Sequence, residues 1–183
     1  MTEPVRHLFL DLEDTIISPV IDGWFNTRLK NVAKIKSFIA DFKPHFMHVF
    51  SFAIWDEAQR ERFNMGTRAM IERALGMSFT EVPTVDGEIL PTCCRVLGLA
   101  QDSLTFSDMS DFWGKHEAFR LNMRHMWKSG QTSVEVVLLD DAVYNETFEW
   151  PNLQVKGRIL NIDEMKEPNG NDQPNTEALP STN

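Results

Sequence analysis

Cysteine is almost missing from this 183-residue chain, which has only Cys93 and Cys94. Adjacent residues rarely meet the geometry of a disulfide, and neither has another partner, so a disulfide framework is not expected. The pair reads as buried thiols of a reducing compartment. No stretch approaches the ~18 uninterrupted apolar residues of a membrane span. The opening "MTEPVRHLFL" lacks the long apolar region of a signal peptide. Both absences lead to the expectation of a cytoplasmic protein with no membrane association. Positive charge is also short, with 18 Lys and Arg against 27 Asp and Glu and a formal net charge of −9. General nucleic-acid binding needs a basic footprint, and this balance argues against it. A local basic pocket for a phosphate stays open. The five histidines show no metal-ligand spacing.

Apolar residues are plentiful: 42% of the chain is hydrophobic, including 13 Phe and 5 Trp, enough to give one domain a proper core. "VRHLFL", "FMHVFSF", "SFTEV", "VEVVLLDD" and "LQVKGRIL" read as strands. Between them, "NTRLKNVAKIKSFIADF" repeats apolar residues at helical spacing from Leu29 to Phe42, with Asn26 or Thr27 as its cap and Pro44 beyond its end. "DEAQRERFNMGTRAMIERALG" reads as one helix closed by Gly76, and "DMSDFWGKHEAFRLNMRHMWKSG" as another. "ISPVIDGW" should be a loop or small hairpin, and Pro83 to Asp108 a modest insert holding a short helix. The alternation predicts an α/β domain over residues 1–165, with a parallel central sheet and helices on both faces. The tail 166–183, rich in Pro, Asn and Thr, has little to bury and is expected to be disordered.

In such a sheet the ligand lies beyond the carboxyl ends of the strands. Three of the predicted strands end in polar chemistry. "LFLDLEDTI" ends in Asp11, Glu13, Asp14 and Thr15, "HVFS" in Ser51, and "VVLLDD" in Asp140 and Asp141. Several carboxylates gathered at one partly dry mouth repel one another unless a cation joins them. Mg²⁺, held by carboxylates, water and substrate phosphate, resolves the conflict.

These residues resemble the haloacid dehalogenase (HAD) superfamily. "LFLDLEDTI" is similar to its first motif, Asp-x-Asp-x-Thr after an apolar strand, and "VVLLDD" to its fourth. Ser51 matches the Ser/Thr of the second motif, and a lysine before the fourth supplies the third. The resemblance implies a three-layer Rossmann-like domain with a small or absent cap, and a Mg²⁺-dependent phosphatase. Asp11 is then the nucleophile that forms an aspartyl-phosphate, and Glu13 occupies the general acid/base position. Asp11, the Glu13 backbone carbonyl and Asp140 hold the metal, with Asp141 beside them. Ser51 binds a phosphoryl oxygen and Thr15 shapes the turn. Lys115 is preferred as the charge-neutralising lysine, with Lys128 as the alternative.

One residue departs from the motif. Glu13 stands where the family has Asp and is longer by about 1.5 Å. A displacement of about 1 Å can cost on the order of a hundredfold in rate, so the change bears on turnover more than on metal binding. Trp24 and Phe25 lie in the loop after the first motif, where Trp24 is a candidate for stacking on a substrate. The expected substrate is a small phosphorylated metabolite such as a 5′-nucleotide. The alternatives are a HAD-fold module that binds phosphate or protein without turnover, and a protein or polynucleotide phosphatase.

Overall fold

A computed structural model describes residues 3–21, 23–101, 103–108, 114–127 and 132–167. The apolar runs become five parallel strands: β1 (Val5–Leu10), β2 (Phe46–Val49), β3 (Phe79–Glu81), β4 (Val134–Asp140) and β6 (Val155–Asn161). A sixth, β5 (Glu146–Trp150), runs antiparallel to β6 at the edge. The order β3-β2-β1-β4-β6-β5 leaves β1 between β2 and β4, so the motif-bearing strands are neighbours. This is an α/β fold with a mostly parallel sheet and helices on both faces, a Rossmann-like three-layer arrangement.

Side-chain alternation divides the core. Leu8, Leu10, Met47, Val49, Val137 and Leu139 meet one helical layer, made of α1 (Val32–Phe42), α2 (Glu57–Asn64) and α3 (Thr67–Leu75). Phe9, Val134, Val136 and Leu138 meet the other, made of α4 (Leu90–Leu97) and, after the single turn α5 (Phe106–Asp108), α6 (Gly114–Met126). A period of two along each strand puts every second residue on the same face, so burial on both faces demands continuous apolar runs.

Several boundaries differ from the sequence expectation. The first helix begins at Val32 after Asn31, because Leu29 is taken by an antiparallel bridge to Ile17 that closes a small hairpin. The second predicted helix is two. Its first half starts on an Asp56 cap, whose carboxylate accepts from the Gln59 N–H at 2.8 Å, and the chain breaks at Met65–Gly66 before α3. Of the segment after Pro83, residues 85–97 are part of the helical layer. A π turn (Val85–Ile89) runs into α4, and Val85, Ile89, Leu90 and Cys93 join the core. Most of the tail, 168–183, lies outside the described residues. No helix among the described residues is long and apolar enough to cross a membrane.

Candidate active site

β1 and β4 pair in register up to Leu10 and Leu139, and the Asp11 N–H continues the ladder onto the Leu139 carbonyl at 3.0 Å. Asp11 and Asp140 therefore leave the sheet side by side. The alternation that turns Phe9 and Leu138 toward the α4–α6 layer sends these two carboxylates the same way. There α6 begins, and Lys115, in its first turn, reaches back between them. Its Nζ lies 3.0 Å from Asp11 Oδ1 and 2.6 Å from Asp140 Oδ2. The ammonium also sits 5.5 Å above the Phe52 ring. Lys128 lies outside the described residues.

The surroundings are dry: Asp11 is 3% exposed, Ser51 1%, and Asp140 and Thr15 fully buried. Burial pushes the Asp11 carboxyl up to about 6; Lys115 pulls it down, while the Asp140 charge raises it. Ser51 donates a hydrogen bond to Asp11, which also favours its ionised form. Burial likewise raises Asp141, with Asp140 adding to the effect. For Lys115, burial acts to lower the ammonium, but the charges of Asp11 and Asp140 outweigh it and hold it above the usual range.

Thr15 ties the two loops that follow β1 and β4. Its hydroxyl lies 3.1 Å from Asp141 Oδ1 and 3.4 Å from Asp11 Oδ2, and with one proton to give it serves the nearer. Two asparagines, not anticipated as site residues, brace these loops from outside. Asn31 Nδ2 donates to the Thr15 carbonyl at 3.0 Å, and Asn161 Nδ2 to the carbonyls of Asp141 at 3.0 Å and Val143 at 2.7 Å. The Asn161 N–H in turn donates to Asn145 Oδ1 at 2.7 Å. The only sequence signal for either was an asparagine at an element boundary. Asp14, in the left-handed region at φ 57°, pairs with Lys30 away from the cluster.

Asp11, Asp140 and Asp141 each offer an oxygen, all within 4.8 Å of one another. Three carboxylates face one ammonium, and an all-oxygen, net-negative donor set fits a hard divalent cation such as Mg²⁺. Neither a scan of protein-family models nor searches of curated proteins and solved structures finds a match. The reading therefore rests on the geometry.

Two expectations change here. Trp24 is not a stacking platform, because its ring is buried edge-on against Phe63, with centroids 5.4 Å apart, and its indole N–H donates to Gln59 Oε1 at 2.7 Å. The aromatic exposed in that loop is Phe25. The Glu13 carboxylate stands outside the acidic cluster; its Oε1 accepts the Val20 N–H at 2.6 Å. A groove of about 480 Å³ on the α4–α6 face, lined by Phe9, His48, Glu81 and Asn122 among others, shares no residue with the acidic cluster. Volume alone would favour that groove, but convergent charge marks the strand ends.

Proposed function

We propose that the protein is a Mg²⁺-dependent phosphomonoester hydrolase of the HAD type, acting on a small phosphorylated metabolite such as a nucleotide. The carrying observation is the meeting of Asp11, Asp140, Asp141, Lys115 and Ser51 at the carboxyl ends of three adjacent parallel strands. In this reading an Asp11 oxygen attacks phosphorus, the P–O bond to the leaving group breaks, and the departing oxygen takes a proton from solvent water. Water then attacks the aspartyl-phosphate, releasing inorganic phosphate and restoring Asp11. Lys115 offsets negative charge on Asp11 and on the phosphoryl oxygens, and Ser51 is within reach to orient one of them. Asp11, Asp140 and Asp141 would hold Mg²⁺, which when bound screens the phosphate from the carboxylates.

A second reading is a phosphate-binding module without turnover. The commitment of Glu13 to Val20 favours it, since that carboxylate is the residue the family motif assigns to proton transfer. One assay separates the two. The protein and Asp11→Asn are incubated with Mg²⁺ and a panel of nucleoside monophosphates, sugar phosphates and an aryl phosphate. Release by the parent and not by Asp11→Asn supports the hydrolase. No release from any substrate, with Mg²⁺ still bound, leaves the binding module.

A further inference from the structure

Glu13 is the position where this chain departs from the motif it resembles, and its side chain makes a specific contact. We propose that Glu13 is a positioning residue, clipping the 18–27 loop to the catalytic turn through the Val20 N–H, and that its extra methylene provides the reach. Only the catalytic consequence rests on the hydrolase reading; the clip itself does not.

The loop is fixed at two further places. At its base, the Ser18 N–H donates to the Arg28 carbonyl at 2.8 Å, and the Arg28 N–H to Ser18 Oγ at 3.0 Å. At its far side, Trp24 packs on Phe63 and bonds Gln59, and Thr67 Oγ1 donates to the Trp24 carbonyl at 2.9 Å. Trp24 therefore docks the loop on α2 and α3, while Glu13 joins it to the turn that carries Asp11 and Thr15. The Glu13–Val20 bond is 2.6 Å long. An Asp carboxylate would end about 1.5 Å short, beyond hydrogen-bond range of the same N–H. With the loop held by Trp24, the Val20 amide cannot simply follow a shorter side chain. A carboxylate held there keeps the loop in place before substrate arrives and does not serve as the proton carrier.

Two substitutions separate positioning from proton transfer, because each keeps one property and loses the other. Glu13→Gln keeps the length and an acceptor oxygen but cannot act as an acid; Glu13→Asp keeps the acid and loses the reach. Val20 amide exchange in the full chain reads the clip, and Mg²⁺-dependent phosphate release from an aryl phosphate reads catalysis. Positioning predicts that Glu13→Gln leaves Val20 protection unchanged and release within about threefold of the parent. It predicts that Glu13→Asp speeds Val20 exchange by up to about tenfold, the worth of one hydrogen bond, and slows release. A loss in Glu13→Gln on the hundredfold scale of a missing general acid overturns the proposal, whatever Glu13→Asp does. So does a Glu13→Asp that exchanges like the parent or releases phosphate faster. If the parent releases no phosphate, the hydrolase reading fails, and the exchange result alone decides the clip.

Discussion

Lys115 is the residue on which the buried charge balance turns. Asp11 and Asp140 lie side by side with almost no exposure, and the Lys115 ammonium bonds both. Removing one partner from a buried pair leaves uncompensated charge and typically costs about 3–5 kcal/mol. Lys115→Met, similar in shape but uncharged, should therefore lower the unfolding free energy by about that much in metal-free buffer. Adding Mg²⁺ should recover part of the loss, since a dication at the three aspartates replaces the missing charge. Urea melts with chelator and with Mg²⁺ measure both effects; a Lys115→Met as stable as the parent in chelator would remove the charge-balance argument. The buried cysteines contrast with this cluster. Burial pushes the Cys93 thiol up to about 12, the neighbouring Cys94 adds to the rise, and the Asn122 amide offsets it only in part, so the thiol stays protonated within the packing.

At the scale of elements, the β5–β6 edge depends on one small residue. Gly157 faces Phe148 across the antiparallel pair, and a Cβ there would lie 2.0 Å from the Phe148 ring. The ring fills the space over the glycine and packs with Phe119 and Trp150. Gly157→Ala should cost about 1–3 kcal/mol by overpacking, and adding Phe148→Leu should return part of it. Chemical denaturation of the single and double variants tests this, and strictly additive losses would count against the clash. This edge was also the least legible part of the sequence. β1, β2 and β4 are apolar runs buried on both faces, which local pattern reveals. "ETFEW" alternates weakly and acquires its strand from Gly157, several residues on. The site followed the same division. Asp11, Ser51 and Asp140 could be located because each closes a readable strand. The Trp24 side chain could not, because its partners Gln59, Phe63 and Thr67 come 35 to 43 residues later, on α2 and α3. The split of α2 from α3 rests on Gly66, a single glycine inside a helical pattern that periodicity alone passes over.

Across the whole molecule, two sets of buried groups oppose one another as pH changes. His7 and His48 stack across β1 and β2, with Nδ1 of one 3.0 Å from Nε2 of the other. Burial lowers both to about 4; the His45 charge adds to the effect on His7, and the His7 charge to that on His48. The facing groups include the Glu81 carboxylate on β3, 3.8 Å from His48 Nδ1, and the Phe9, Phe46 and Trp127 rings. With folded values below the unfolded 6.5, the pair's contribution is full above pH 6.5 and is lost as pH falls toward 4. Asp11 runs the other way. Its folded value of about 6 exceeds the unfolded 3.8, so its contribution is full below pH 3.8 and is lost as pH rises through 6. Asp141, also raised by burial, joins Asp11 in opposing the two histidines, so unfolding between pH 4 and 6.5 takes up fewer protons than the histidine pair alone would bring. With the histidine pair outweighing the carboxyls, metal-free stability should fall on acidification through that window. His48→Gln should flatten the slope, and Asp11→Asn should steepen it by removing an opposing group. Urea melts at pH 4.5, 5.5 and 6.5 measure all three slopes. A His48→Gln slope equal to the parent's would show that the histidine pair does not set the acid limit, and an unchanged slope in Asp11→Asn would place the compensating proton elsewhere than on Asp11.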